Sequence, residues 1–136
     1  MIKELYGVNI AVKDLDAAVA KYSAILGGEP EWTKPEDFAF PGLRGATIKL
    51  AGVSINLIAS ENPETSIYKF VEGKGEGVFL LSFRVTDLVN DMKDLTAKGV
   101  RLVSPDEPMT YSGGIVNFGH PKSLHGVQME FIQPTA

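Results

Sequence analysis

The residue best suited to acid–base chemistry in this chain is Glu130, in the alternating segment 126–132. Apolar Met129 and Phe131 flank it, so Glu130 lies on the polar side of a strand whose apolar side must face a core. A carboxyl group in an apolar cavity has a raised pKa, which suits it to proton transfer near neutral pH. Glu130 is therefore a candidate general base, although an exposed sheet residue would show the same pattern.

The segment that holds Glu130 is the second copy of an earlier one. Residues 126–132, GVQMEFI, match residues 52–58, GVSINLI, in their glycine and in their alternation. Upstream, VKDL at 12–15 recurs as VTDL at 85–88, each time between a strand pattern and a helix pattern. Two copies in one order indicate duplicated supersecondary modules. We expect equivalent strand positions of the two modules to converge on one cleft.

Alternation separates a core face from a cleft face in each copy. Ile55 and Leu57 must pack against a helix, which turns Asn56 the other way, and Gln128 and Glu130 are the equivalents in the second copy. The candidate ligand-binding residues of this face are Asn9, Asn56, Leu80, Ser82, Arg84 and Gln128. Arg84 could hold an anionic ligand, pair with Glu130, or be only a solvated charge.

Trp32, Phe40 and Tyr111 are candidate ligand-binding aromatic residues in two irregular stretches of the sequence. The first stretch, 29–45, has several prolines and no regular period. It is interpreted as an irregular strand and loop that form a mobile lid over the cleft. Met109 lies beside Tyr111 in the second. Core packing would explain any one of these side chains, whereas their clustering in both stretches favours an aromatic wall over an apolar ligand. Both interpretations stay open.

The elements that must position these residues follow a βαβββ order in each half. Asp14 and Asp87 are predicted helix N-caps, because each carboxylate can accept bonds from the first free backbone N–H groups. Gly27 and Gly99 are predicted to end those helices. The predicted elements are strand 5–12, helix 15–26, hairpin 46–59, linker helix 62–73, strand 78–85, a helix after Asp87, and strands 100–103, 114–118 and 127–133.

This order predicts an α+β protein with two tandem βαβββ modules that form a cupped mixed sheet around one cleft. Module one is placed at about 4–60 and module two at about 77–133, within a single domain of 1–136. A chain of 136 residues is long enough to bury one core.

Composition excludes several functional classes. The net charge of −4 and the absence of a basic cluster argue against nucleic acid or an anionic membrane as partner. Without cysteine, thiolate catalysis, disulfides and Cys-ligated metal sites are excluded. No apolar run approaches the length of a membrane span, and the N-terminus lacks a signal-peptide pattern. We expect a cytoplasmic protein.

Four short motifs in one order carry a family resemblance across nearly the whole chain. They are IAVKDL at 10–15, SIYKFV at 66–71, AKGVRL at 97–102 and FGHPKSLHGV at 118–127. On these motifs the chain resembles the vicinal oxygen chelate superfamily of glyoxalase I, extradiol dioxygenases, bleomycin-resistance proteins and methylmalonyl-CoA epimerase, with the last as its nearest branch. The resemblance implies the cupped fold and a homodimer.

In members of that superfamily that do metal chemistry, four cleft positions supply the ligands. The resemblance places them here at Gly7, Asn56, Leu80 and Glu130. Glycine and leucine have no donor atom, and an asparagine carbonyl is a weak neutral ligand. A catalytic divalent site usually needs about three protein ligands. We therefore expect no bound metal and no cofactor. His120 and His125 lie outside the metal positions, and His120 is read as the polar tip of a turn fixed by Pro121.

The resemblance also implies acid–base residues. Epimerases of this branch use a glutamate on the final strand, here Glu130, and a second glutamate, which would align near Phe40 or Pro41. Neither of those side chains can accept a proton. Inversion through an enolate needs a base on each face. The inherited reaction is therefore expected to be altered.

Two functions remain from this reasoning. In the first, the chain is a metal-free binder of a small, partly apolar organic ligand, as bleomycin-resistance proteins are. In the second, it is a metal-independent isomerase or lyase, acting on an acyl-CoA with Glu130 as the lone general base. The absence of metal ligands and the presence of the aromatic residues favour the first. The retained Glu130 favours the second.

Overall fold

The computed structural model describes residues 1–38 and 40–135, which form three α-helices and eight β-strands. The chain divides into two compact units. The described residues of Gly7–Phe79 form the first unit, and Met1–Tyr6 together with residues 80–135 form the second. The predicted α+β class and the βαβββ order of both halves are confirmed.

The first unit contains four strands in the order β2-β3-β4-β1. Strands β1 and β4 pair in parallel, whereas β3 pairs antiparallel with β2 and β4. Its elements are β1 (Ile2–Ala11, from Gly7 onward), α1 (Leu15–Leu26), β2 (Glu31–Thr33), β3 (Arg44–Leu50), β4 (Val53–Ala59) and α2 (Ser66–Lys74). The stretch that was predicted to be an irregular strand and loop holds the short strand β2 and a 3₁₀ turn at Pro35–Asp37.

Helix α1 forms where the sequence predicts it, because both of its ends carry capping residues. Asp14 accepts a hydrogen bond of 3.1 Å from the backbone N–H of Ala17, and Gly27 ends the helix in the left-handed conformation with φ of 75°. Leu15 and Val19 turn inward and pack with Leu57 of β4. This packing fixes the face of β4 that carries Leu57, and Asn56 therefore points to the opposite face.

Helix α2 begins later than predicted. The chain from Asn62 to Thr65 forms a turn, and Thr65 caps the helix by accepting a hydrogen bond of 3.2 Å from the N–H of Tyr68. The helix then extends to Lys74, and Ile67 and Val71 pack with Ile58. Because Ile58 has the same strand phase as Asn56, α2 covers the end of the face opposite α1.

The second unit has the strand order β5-β8-β7-β6. Strands β5 and β8 pair in parallel, and β7 pairs antiparallel with both β8 and β6. Its elements are β5 (Gly77–Val85, from Leu80 onward), α3 (Leu88–Ala97), β6 (Met109–Tyr111), β7 (Gly114–Gly119) and β8 (Gln128–Pro134). Leu88 and Met92 of α3, capped by Asp87 as predicted, pack with Phe131.

The predicted strand at 100–103 is wrong. Only Leu102 pairs, in an isolated bridge with Gly119. The ladder stops there because the Asn117 side chain takes the next backbone groups: its Oδ1 accepts from the N–H of Ser104 at 3.2 Å and its Nδ2 donates to the Ser104 carbonyl at 2.8 Å. The strand of this module lies instead at Met109–Tyr111, which was predicted to be irregular.

No helix within residues 1–38 and 40–135 is long and apolar enough to cross a membrane.

Candidate functional site

Glu130 and Ser82 face each other across the parallel pair of β5 and β8. The strand register places them side by side, and Ser82 Oγ donates a hydrogen bond of 2.6 Å to Glu130 Oε1. Ser82 is almost fully buried. Phe131, the next residue after Glu130, packs into the core below α3, so the carboxyl group lies on the other face of β8.

The environment of Glu130 raises its pKa above the ordinary glutamate value. Burial of the carboxyl group is the larger cause, and the hydrogen bond from Ser82 opposes it by stabilising the charged form. Part of the residue surface stays accessible although protein atoms surround the carboxyl group. A carboxyl group with a raised pKa can act as a general base when ionised and return the proton afterwards.

Tyr111 belongs to the same electrostatic environment. The register joins Tyr111 to Gly114 and Gly114 to Pro134, and Pro134 lies on the same side of β8 as Glu130. Burial, followed by the charges of Tyr6 and Glu130, raises the pKa of Tyr111 to about 12. Its hydroxyl therefore stays protonated and can act as a hydrogen-bond donor.

In the first unit, three polar side chains of neighbouring strands form a chain of hydrogen bonds, called here the amide relay. Thr47 Oγ1 donates to Asn56 Oδ1 at 2.7 Å, and Asn56 Nδ2 donates to Asn9 Oδ1 at 2.7 Å. The three residues are register partners on β3, β4 and β1. Asn56 also lies over Gly7, since a Cβ atom built there would be 2.9 Å from Asn56 Nδ2.

The residues at the positions where the family resemblance places metal ligands have a donor set that does not suit a divalent ion. In the first unit Gly7 has no side chain, and both polar atoms of Asn56 are committed to the amide relay. In the second unit Leu80 is buried without a donor atom, and Glu130 is bonded to Ser82. Among residues 1–38 and 40–135, no three His, Asp or Glu side chains come together in a way that could hold a metal ion.

Among the other candidate residues, Arg84 had three roles left open: it could hold an anionic ligand, pair with Glu130, or be only a solvated charge. Its Nε forms an ion pair of 2.6 Å with Glu4 on β1, and not with Glu130. Glu4 lies within reach because Met1–Tyr6 belongs to the same unit as β5. Gln128 is the register partner of Leu80 and is partly buried.

The aromatic candidates are distributed between the units. Trp32 on β2 and Phe40 belong to the first unit and are 53% and 40% exposed, whereas Tyr111 belongs to the second and is partly buried. His120 forms the turn that was expected of it, since its Nδ1 accepts from the N–H of Lys122.

Sequence reasoning missed Thr47 and Tyr6. Thr47 lies in a strand that the sequence predicted correctly, and its register with Asn56 would have identified it once β3 and β4 were paired. No comparable signal points to Tyr6, whose charge helps to raise the pKa of Tyr111 although the two residues are far apart in the sequence.

Several proteins similar to this chain are described as epimerases. An ethylmalonyl-CoA/methylmalonyl-CoA epimerase of Cereibacter sphaeroides is 32% identical over 135 residues, covering 98% of this chain and 99% of that protein. The crystal structure of methylmalonyl-CoA epimerase from Mycobacterium tuberculosis superimposes with a TM-score of 0.86 at 32% identity, covering 99% of this chain and 90% of that one.

A variant of the Streptomyces coelicolor methylmalonyl-CoA epimerase in complex with 2-nitronate-propionyl-CoA has a TM-score of 0.86 at 31% identity, with both chains fully covered. Residues 7–118 match the sequence model of the glyoxalase/bleomycin resistance protein/dioxygenase superfamily. The chain therefore belongs to that superfamily, and its similarity to methylmalonyl-CoA epimerases extends over its whole length.

Proposed function

We propose that this protein binds a short acyl thioester and transfers a proton at the carbon next to the thioester carbonyl, using Glu130 and no resident divalent metal. Glu130 removes the proton from that carbon, the electron pair moves to the thioester oxygen as an enolate, and the same carboxyl group returns a proton. No oxidant or second substrate is needed.

The observation that carries this proposal is the Ser82–Glu130 pair. A hydrogen bond of 2.6 Å fixes one carboxyl oxygen and leaves the other for the ligand. Burial raises the pKa of Glu130, which makes it a stronger base once ionised.

The ligand class is supported by the relatives. Full-length relatives are described as acting on ethylmalonyl-CoA and methylmalonyl-CoA, and one solved relative holds methylmalonyl-CoA. Absence of the metal is supported by the donor set, because Gly7 and Leu80 offer no ligand atoms and Asn56 is committed to the amide relay.

The proton transfer is proposed to take place on only one face of the enolate. The second base of the epimerases would align near Phe40 or Pro41, where no side chain accepts a proton. A single base on one face of an enolate exchanges the hydrogen with retention, whereas inversion needs a group on the other face. We therefore expect exchange of one enantiomer and no epimerisation.

The test is incubation of the metal-depleted protein with each enantiomer of methylmalonyl-CoA in heavy water. Wild type should introduce deuterium at the acyl carbon of one enantiomer without racemising it. Glu130→Gln should keep ligand affinity and lose exchange, because the isosteric amide cannot take the proton. Glu29→Gln, the same change at an exposed residue, is the matched control and should behave as wild type.

A binder without chemistry is the second candidate, favoured by the missing second base. Tight binding of the thioester by wild type with no deuterium in either enantiomer would favour that candidate over proton transfer. Rapid exchange with inversion would contradict the one-sided reaction.

A further inference from the structure

The orientation of the Asn9 side chain is fixed by the amide relay. Its Oδ1 accepts the hydrogen bond from Asn56 Nδ2, and Asn56 is itself held by the hydroxyl of Thr47. Both bonds are 2.7 Å long. Because the carbonyl oxygen of Asn9 is turned toward Asn56, its amide nitrogen must point away from Asn56, with two N–H bonds directed outward.

Those two N–H bonds have no protein acceptor. Asn9 is only 8% exposed, yet none of residues 1–38 and 40–135 accepts a hydrogen bond from its Nδ2. Among these residues, Ser23 Oγ is the side-chain atom that is both fully enclosed and without a hydrogen-bond partner. Asn9 Nδ2 has no partner but is not fully enclosed, so it keeps an opening to solvent. Buried amide groups are normally bonded. A fixed donor that is unbonded but reachable is suited to receive a ligand atom.

We infer that Asn9 Nδ2 binds an anionic oxygen of the acyl group of the ligand, with Thr47 and Asn56 as the residues that position it. The proposed function supplies only the class of the ligand. An oxygen that carries charge attracts such a donor more strongly than a neutral carbonyl does. Donors held in place before the charge develops also need no reorganisation when it does.

The amide relay takes the place of a metal in the first unit. Gly7 and Asn56 occupy positions where the family resemblance places metal ligands. The missing side chain at Gly7 leaves the space that the Asn56 amide fills. The relay has no ionisable side chain, so the binding of an anionic oxygen depends on fixed dipoles. Its contribution is therefore expected not to change with pH in the range where the ligand keeps its charge.

Two CoA esters measure this interaction directly. In 2-nitronate-propionyl-CoA the nitronate oxygens next to the thioester carry negative charge, whereas propionyl-CoA is uncharged there. Calorimetric titration of wild type should show clear preference for the nitronate. Asn9→Asp, which replaces the donor by an acceptor, should weaken nitronate binding by about 10-fold to 100-fold, as expected for a lost bond to a charged group. Its affinity for propionyl-CoA should stay within about 2-fold of wild type.

Two further variants separate the relay from a general effect. Thr47→Val removes the first hydroxyl with little change of shape and should reduce the preference for the nitronate by a smaller factor. Asn62→Asp adds the same charge on an exposed loop of the same unit and should leave both affinities unchanged. If Asn9→Asp does not fold, Asn9→Ala removes the donor without adding charge and is measured in its place.

The outcomes distinguish this inference from the proposed function. Unchanged preference for the nitronate in the Asn9 variant would overturn the inference alone. Binding of both esters by wild type without deuterium exchange of methylmalonyl-CoA would overturn the proposed reaction alone. Failure of wild type to bind either ester would overturn both.

Discussion

Asn56 occupies the space that a side chain at Gly7 would need. A Cβ atom at position 7 would lie 2.9 Å from Asn56 Nδ2 and 3.1 Å from the backbone oxygen of Ser54. Gly7 is buried, and its φ is not in the left-handed region. The glycine is therefore required by packing and not by backbone conformation.

Gly7→Ala is expected to destabilise the protein by about 1–3 kcal/mol, which is typical of overpacking in a close-packed region. The backbone oxygen of Ser54 cannot move easily, so Asn56 must shift, and the bond from Asn56 to Asn9 should be weakened. The measurement is urea unfolding followed by circular dichroism.

Gly73→Ala is the matched control for that substitution. Gly73 lies in α2, and nothing lies within 4 Å of a Cβ atom there. Alanine should therefore be neutral or stabilise the helix by up to about 1 kcal/mol. Equal stability of Gly7→Ala and wild type would contradict the proposed contact.

Glu130 should make stability depend on pH in a recognisable way. Because burial raises its pKa in the folded state, the folded protein keeps this proton after the unfolded chain has lost it. Stability then falls as pH rises from about 4.5, the unfolded value, to the raised pKa, and the loss is constant above it. Glu130→Gln has no proton to lose and should gain stability relative to wild type over that interval.

The measurement is urea unfolding of wild type and Glu130→Gln at about pH 4 and about pH 8. The difference between the two proteins cancels the titration of the other groups, which both share. A stability difference that does not change with pH would contradict a raised pKa for Glu130.

Much of the fold could be predicted because local signals agree with tertiary packing. Leu57 and Phe131 alternate with Asn56 and Glu130, and each apolar residue packs in the core with its helix. That phase correctly predicts which face carries the polar residues.

The errors occur where tertiary contacts decide. The apolar sequence at 100–103 has strand character, but the side chain of Asn117 binds the backbone of Ser104 and stops the ladder. The amide relay could not be predicted either, because Thr47, Asn56 and Asn9 meet only through the pairing of three strands. Sequence periodicity determines the face of a residue but not its partner.

Asn117 is expected to be among the most sensitive positions for stability. Its side chain is fully buried and also accepts a hydrogen bond of 2.9 Å from the N–H of Phe118. Asn117→Ala removes this bond and both bonds to the backbone of Ser104, which should cost roughly 2–4 kcal/mol.

Thr96→Ala, at an exposed position of α3, is the control for Asn117→Ala and should change stability by less than about 0.5 kcal/mol. Thermal unfolding by calorimetry compares the two variants. Similar melting temperatures for both would contradict a structural role of Asn117.

The protein is expected to be a homodimer. Among residues 1–38 and 40–135, β2 and β6 each have an edge with no paired strand. Such edges must be covered or protected. The superfamily resemblance also implies self-association. Light scattering across micromolar to submillimolar concentrations should give twice the chain mass, and a monomer mass throughout would exclude a dimer.

The last prediction concerns metal content. Purified protein, dialysed without chelator, should hold far less than one equivalent of zinc, cobalt, nickel, manganese or iron by elemental analysis. Gly7 and Leu80 have no donor atoms, while Asn56 and Glu130 already form hydrogen bonds. Divalent ions at catalytic sites usually need about three protein ligands.

Gly7→His tests the same point from the other direction. A new imidazole at this position supplies a ligand atom, but its Cβ alone would lie 2.9 Å from Asn56 Nδ2, so the side chain must displace the amide relay to be accommodated. We expect this variant to lose stability and to gain no tightly bound zinc. One retained equivalent of metal in wild type, lost in Glu130→Gln, would show that Glu130 is a metal ligand and would overturn the metal-free mechanism.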